Sequence, residues 1–413
     1  MPLSLRWVDA ADDIDRVALA RMRAYAPAAQ DLPRFRDRMR TDPRTKPGDW
    51  LLAELDGEPV GTATSLSLAM WVRGSHAWCQ GVAYVGTVRS HRRGGSADQP
   101  GVASRVMHEV LRKARERGQA VSALMPFRNS FYERFGYGAV ERRHEWTLPT
   151  TLLPAGDFDG YRHVRPADVD ALAVCRQKQV CRGQCDIKRT RAVWDDLLRQ
   201  AEEGFFLVDR PDDAGPVRGF VEFDTVVRPD GRWHMKVTDL GYEDGPALVR
   251  ALRLLGSMKD QYATCSLLLP ADLPLNRLLR ESQLPHRIVP HQAAECRVQT
   301  RMQVRILDHK AFLEAMTALP PDRRGRAVVA VHETEGPVSR FAVELSDGRL
   351  AVQPTGETPQ FECRDAIWAA VACGDTSATT AAKLGLATGT DRHVLAVLDA
   401  LAEGPLPFCA EAF

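Results

Sequence analysis

The chain opens with a short apolar run at 5–8 and continues at 12–25 with apolar residues at helical spacing. Strand-like runs follow at 50–55, which ends at the turn Asp56-Gly57, and at 60–72 and 77–88. Over 101–117, Val102, Val106, Val110 and Leu111 fall on one stripe of an amphipathic helix, and Gly118 supplies its stop signal. A strand at 120–125, a short helix at 129–135 and a strand at 137–148 complete a mixed α/β unit over 1–150.

The pattern then restarts. Arg6, Val8, Ala11 and Asp12 recur at the same spacing as Arg162, Val164, Ala167 and Asp168, each time leading from a strand into a helix. Helices at 168–176 and 190–201, strands at 205–209, 217–227 and 232–242, a helix at 246–259 and a strand at 262–269 repeat the first order, as a duplicated fold would over 151–297. The last part, 298–413, reads as an α+β module. It has strands at 301–306, 327–332, 340–345 and 350–353, a helix at 309–319 and a closing helix at 392–401.

Composition narrows the classes. With 44% apolar and 26% charged residues the chain can bury real cores. A net charge of +1 gives no global pull toward nucleic acid or an anionic membrane. No window approaches the ~18 apolar residues of a membrane span. Arg6, Asp9, Asp12 and Asp13 interrupt the place where a signal peptide needs an apolar core, so a cytoplasmic protein is expected. Nine scattered cysteines read as reduced thiols, and the cluster Cys175, Cys181, Cys185 lacks a second ligand pair at zinc spacing, so no metal is expected. H-E-x-x-H and G-x-S-x-G are both missing, which leaves zinc-peptidase and α/β-hydrolase readings without signatures. Trp7, Trp71, Trp78 and Trp146 fall on strands, where core packing is expected.

Chemistry concentrates between Val82 and Gly138. A strand runs into a loop rich in arginine and glycine that opens a helix, and unsatisfied N–H groups at a helix start favour anions, in outline a pyrophosphate site. The loop has two registers: Arg92-x-x-Gly95-x-Ala97, or Gly101 to Ala103 with 94–99 bulging out. Asp98 brings a negative charge toward either. One strand later comes Tyr132-Glu133-Arg134-Phe135-Gly136-Tyr137-Gly138. After the second unit's strand the sequence is GYEDGPALVR, with Glu243 and Asp244 where a phosphate would need cations.

The loop and the YERFGYG segment together resemble the GNAT acetyltransferases, specifically the Eis-like branch. The resemblance implies tandem GNAT domains, the second degenerate, followed by a sterol-carrier-protein-like domain, with acetyl-CoA as co-substrate and a homohexameric assembly. It implies Tyr132 as the acid for the departing thiolate and the terminal carboxylate of Phe413 as the base. Val85, Gly86 and Thr87 would hold the acyl and pantetheine portion, Arg92, Arg93, Gly101, Val102, Ala103 and Ser104 the phosphates, and Phe127 and Arg128 further cofactor contacts. The residue types agree: a carboxylate with reference pKa ~3.5 is ionised at neutral pH, and a tyrosine near pKa ~10 can protonate a thiolate of pKa about 8.5. Tyr137 is expected to serve stability before chemistry. The six residues between Arg93 and Pro100 depart from the family's usual run.

The expected partner is a small-molecule amine, an antibiotic or natural-product intermediate. In the resembled family the region equivalent to 21–46 helps frame the acceptor pocket, which is acidic where polyamine antibiotics are acetylated. Here it holds seven Arg and one Lys against Asp31, Asp37 and Asp42. If these arginines line the pocket they disfavour a polycation; if they face solvent they say nothing of it. Two alternatives share the fold: a non-catalytic CoA- or lipid-binding scaffold, and an Eis-shaped enzyme recruited to another biosynthetic reaction.

Overall fold

The computed structural model describes residues 3–9, 13–26, 29–92, 100–201, 204–280 and 293–413. Arg93 and the register Gly95 to Ala97 lie outside the described residues. Along the first part run β1 (Ser4–Val8), α1 (Ile14–Tyr25), α2 (Leu32–Thr41), β2 (Trp50–Leu55), β3 (Glu58–Val72), β4 (Ser75–Thr87), α3 (Val102–Glu116), β5 (Val121–Leu124), α4 (Asn129–Glu133) and β6 (Gly138–Ala139). Then come β7 (Arg143–Pro149), β8 (Tyr161–His163), α5 (Val169–Val180), β9 (Gln184–Ile187), α6 (Arg191–Gln200), β10 (Phe206–Asp209), β11 (Gly219–Val227), β12 (Trp233–Tyr242), α7 (Gly245–Ser257), β13 (Tyr262–Pro270) and β14 (Glu295–Gln299). The last part holds β15 (Gln303–Ile306), α8 (His309–Glu314), β16 (Gly325–His332), β17 (Ser339–Ser346), β18 (Arg349–Pro354), β19 (Phe361–Arg364), α9 (Asp365–Ala372), α10 (Ala378–Lys383), β20 (Ala387–Thr388) and α11 (Arg392–Asp399).

These elements form two compact units. The first comprises residues 1–140, 302–403 and 411–413, the second 141–301 and 404–410. The first unit's main sheet has the order β1-β2-β3-β4-β5-β15-β6. Its pairs are antiparallel except β4 with β5, which run parallel. The second unit's sheet, β8-β10-β11-β12-β13-β7-β14, repeats this order with its one parallel pair at β12 and β13. Two sheets of one topology give the sequence repeat a physical basis. Arg162 grips Asp168 with two hydrogen bonds of 2.8 Å, and Arg6 grips Asp13, the neighbour of the repeated aspartate, at 2.6 and 2.9 Å.

The next-to-last strand of each sheet comes from a distant part of the chain. Between β5 and β6 the first unit takes β15, from residues 303–306. Between β13 and β14 the second takes β7, from residues 143–149. Mixed α/β architecture with two sheets of the same strand order is therefore what the chain forms, with one strand of each exchanged along the sequence.

Cores lie on both faces of the first sheet, as strand alternation requires. Leu51 and Ala53 of β2 face α3, packing with Val106, Val110 and Leu111, whereas Trp50 and Leu52 face α1 and α2, packing with Val17, Phe35 and Met39. The same unit contains a further sheet, β18-β17-β16-β19-β20. Beside the main sheet, a Cβ on Gly138 would stand 1.9 Å from the Ala366 carbonyl oxygen, so only glycine lets β6 lie this close to the start of α9. Of the four tryptophans expected to pack in the core, Trp71 and Trp146 are buried and Trp7 is half-buried with its indole N–H donated to Glu109 at 2.6 Å. Trp78 corrects the packing expectation: it is 69% exposed, on a strand that runs beyond the cover of α3. No helix among the described residues is long and apolar enough to cross a membrane.

Candidate active site

Parallel pairing of β4 with β5 runs from Cys79–Val121 to Val82–Leu124 and stops. β4 continues to Thr87 while the chain beyond β5 turns away through residues 125–128 into α4, so the sheet forks and the backbone of Ala83 to Thr87 faces the opening. At the fork β4 bulges: Ala83 opposes Thr64 and Gly86 opposes Thr62, leaving Tyr84 and Val85 against one partner residue. Tyr84 takes φ of 52°, a left-handed conformation costly for a tyrosine and held by its surroundings.

Helix α1 clamps the bulge from one side. The Tyr25 hydroxyl donates to the Val85 carbonyl. A Cβ on Gly86 would stand 2.7 Å from the Tyr25 ring and 3.0 Å from the Ala24 methyl, which is why this position is glycine. Burial pushes the Tyr25 hydroxyl pKa up, and the nearby Tyr132 adds to that shift.

On the other side the start of α3 closes on the end of β4 through Gly61, which pairs with Thr87 and whose added Cβ would lie 2.7 Å from Val102. The helix begins at Gly101, which offers no side-chain cap, and its first turn carries no acid. Ser104 and Arg105 bond back to the Gly101 carbonyl at 3.0 and 3.1 Å, while the first N–H groups of a helix have no intrahelical partner. Val85, Gly86 and Thr87 are thus brought together with Gly101, Val102, Ala103 and Ser104. Arg92 joins them, donating to the Thr87 carbonyl at 3.3 Å and the Ala24 carbonyl at 2.7 Å. His91 shares a 2.9 Å hydrogen bond with Ser90 in the exposed turn before it.

Tyr132, in α4, is 5% exposed and belongs to the apolar cluster that contains Val82 and Leu124, the last pair before the fork. Its ring meets Phe127 edge-on at 5.8 Å and Phe131 at 4.9 Å. Burial pushes its hydroxyl up to about 12. Phe127 is 73% exposed, and Arg128, also exposed, immediately precedes α4 without a side-chain cap. The other tyrosine of the motif is spent on structure. Tyr137 is fully buried and shares a 2.6 Å hydrogen bond with Ser122, which donates to Gln80, which in turn donates to Ser65 and the Val110 carbonyl.

The chain end reaches the opposite face of the same fork. The Phe413 ring lies 3.0 Å from where a Cβ on Gly81 would stand, beside Leu66 and Leu68. Arg44 donates to the Ala412 carbonyl while gripping Asp42 at 2.8 and 2.9 Å. Since Val82 faces α3 and Gly81 the other way, an acid at Tyr132 and a base at the chain end would approach the fork from opposite faces.

The second unit's fork is different. Pairing of β12 with β13 ends at Lys236–Ser266, and the residues beyond it surround a cavity of about 30 Å³ that Phe408 and Ala410 also line. Residues 404–410 are fixed there: Leu406 N–H donates to Asp272, Phe408 N–H to the Gln184 carbonyl, Cys409 N–H to Glu141 and Ala410 N–H to Asp186. At the start of α7 the Asp244 carboxylate accepts the Ala247 N–H at 2.9 Å, and Glu243 pairs with Lys178 at 2.6 Å. Where α3 leaves its first turn uncapped, α7 covers its own with a carboxylate.

A family profile described as an acetyltransferase (GNAT) domain matches residues 9–140, and a second of the same description matches 185–306. The chain is 26% identical over 373 residues to N-acetyltransferase Eis of Mycobacterium tuberculosis (strain ATCC 25177 / H37Ra), covering 85% of this chain and 84% of that one. The chain is an acetyltransferase with two GNAT domains. It is also 28% identical over 378 residues to an uncharacterized N-acetyltransferase of Streptomyces avermitilis, covering 83% of this chain and 82% of that one. In fold it resembles a GCN5-related N-acetyltransferase from Anabaena variabilis, at TM-score 0.84 and 16% identity, and Eis1 from Mycobacterium abscessus, at TM-score 0.75 and 20% identity. Both comparisons cover 100% of each chain.

Sequence reasoning passed over several residues of this candidate site. Tyr84 carries its signal in φ, which no pattern of residue types displays. Tyr25 ends a helix whose partner strand is 60 residues away. Gly81 and Gly86, five apart in one strand, were the available clue, because glycine in a strand marks a bulge or a close approach. Arg21 counted only as one of many arginines, yet it is 2% exposed.

Proposed function

We propose that this acetyltransferase transfers an acetyl group from acetyl-CoA to an amine of a small molecule in the fork between β4 and β5. The observation that carries this reading is the juxtaposition of the bulged, open β4 segment with the uncapped start of α3. An extended amide-bearing arm can pair with the β4 backbone at 83–87 that β5 leaves uncovered, and a pyrophosphate can sit at a helix start whose first turn carries no acid. Val85, Gly86 and Thr87 take the acyl and pantetheine portion, Arg92, Arg93 and Gly101 to Ser104 the phosphates, with Phe127 and Arg128 at the mouth.

Acetyl-CoA supplies a thioester whose carbonyl carbon accepts the amine nitrogen: the C–N bond forms, the C–S bond breaks, and the thiolate leaves. The chain moves two protons. The Phe413 carboxylate takes one from the attacking nitrogen, directly or through water, and Tyr132 gives one to the departing sulfur. With its pKa at about 12 Tyr132 holds its proton throughout the neutral range. Donors pre-set around the bulge meet the charge on the carbonyl oxygen.

Within the same reading, residues 298–413 form a sterol-carrier-like module that delivers the terminal carboxylate, the protein works in the cytoplasm, and it assembles as a homohexamer, which light scattering reads directly. The deciding experiment follows thiol release from acetyl-CoA against a panel of amines, with calorimetry for acetyl-CoA alone. Amine-dependent thiol release supports the reading, and a folded protein that neither binds acetyl-CoA nor releases thiol overturns it.

A further inference from the structure

We propose that the acceptor carries, besides its amine, an anionic oxygen group, in the simplest case a carboxylate, that pairs with Arg21. The inference rests on acetyl transfer in the β4–β5 fork and names the class of molecule that enters it.

Arg21 lies on α1 with its guanidinium 4.1 Å from the centre of the Tyr84 ring, the residue at the bulge. One terminal nitrogen donates to the Thr64 hydroxyl, and Nε, fully enclosed, has no hydrogen-bond partner. Among the described residues no carboxylate forms an ion pair with this buried cation. The acid that acts on it, Asp42, is gripped through both oxygens by Arg44, and Arg38 adds repulsion. Burial lowers the Arg21 pKa to about 10, so the group stays charged at neutral pH in surroundings that do not compensate it. A buried charge is costly unless paired, and a guanidinium is shaped to pair with a carboxylate through two parallel hydrogen bonds.

Its placement assigns the missing partner to the acceptor. Thr64, Leu66 and Leu68 share one face of β3 by alternation, and the Phe413 ring rests on that face beside Leu66 and Leu68. Arg21 reaches Thr64 from the same side, and α3, with its uncapped first turn, packs on the other. An anion held by Arg21 leaves an amine on the same molecule close to both the bulge and the chain end. A second ammonium in that place would meet Arg21, Arg38 and Arg44, with Asp42 and Glu411 in opposition among the described residues. This arrangement of charges disfavours polycations.

The test uses two length-matched sets of amines: 4-aminobutyrate, butylamine and 1,4-diaminobutane, and 4-(aminomethyl)benzoate, benzylamine and 1,4-bis(aminomethyl)benzene. Thiol release gives kcat/KM for each, and calorimetry on the CoA-loaded protein gives Kd. In at least one set the carboxylate member is expected to lead the neutral amine by tenfold or more, with the diamine last. In Arg21→Met the carboxylate-to-neutral ratio should fall to near one while the melting temperature holds or rises, because an unpaired buried charge has been replaced by an apolar chain. Arg21→Lys should keep part of the preference. Diamines as the best acceptors, a preference untouched in Arg21→Met, or binding of none of the six overturns the proposal. Ordered binding without thiol release upholds it and overturns acetyl transfer instead.

Discussion

The ring of Phe413 rests against the backbone of Gly81, 3.0 Å from where a β-carbon would stand, so the last residue of the chain is seated on the strand that forms the fork. Gly81→Val should push the ring off that seat. The expected outcome is a loss of kcat of tenfold or more with acetyl-CoA affinity within threefold of the parent, read by steady-state kinetics and calorimetry. An unchanged kcat would detach the chain end from the chemistry.

A Gly-Ser tail after Phe413 probes the carboxylate itself. It converts the α-carboxylate into an amide, which cannot accept a proton, while an ordinary terminus would tolerate the addition. Amine-dependent turnover should collapse with melting temperature nearly preserved. Full activity in the tailed protein would move the search for a base to Glu411.

Tyr132→Phe should cut turnover by about 10²-fold with little change in CoA binding. The pH profile adds a check. Burial raises the Tyr132 pKa to about 12, which favours the protonated, proton-donating form, so a thiolate acid at this position predicts no falling limb between pH 7 and 10. A limb near pH 10 that disappears in Tyr132→Phe would contradict the raised value. The opposite split is expected of Tyr137→Phe, which removes one of two buried hydrogen bonds of the Ser122 hydroxyl: a stability loss of about 1 kcal/mol in denaturant titration, with kcat near the parent's.

Deleting Gly94 to Gln99 asks which register holds the phosphates. With α3 starting at Gly101 and its first turn uncapped, acetyl-CoA affinity should stay within threefold or improve. Loss of binding in a folded variant would assign the cradle to Gly95 to Ala97.

Most first-unit elements were legible because each writes its own period into the sequence: β2 matches 50–55, and α3 follows the stripe from Val102 to Leu111. α2 was not, because it buries only Phe35 and Met39 among four arginines, too thin a stripe to stand out. The segment 137–148 read as one strand yet divides into β6 and β7, which lie in different sheets. Alternation tells a strand which of its sides is buried but not which neighbour it pairs with. At the site, motif spacing pointed to the loop and the tyrosine, since both depend on residue type. The bulge and the unpaired state of Arg21 depend on backbone angle and on which acids are already engaged, and neither is written locally.

The position of β15 sets a timetable for synthesis. β5 is finished at Leu124, but the strand that covers its far edge does not exist until Ile306 has been made. At roughly 5–20 residues per second the ribosome needs on the order of 10–40 s to bridge that gap. Throughout it the nascent sheet presents an unpaired edge of the kind that templates aggregation. A chain arranged in this way should depend on chaperones that shield strand edges early, and its yield should rise when translation past residue 124 is fast.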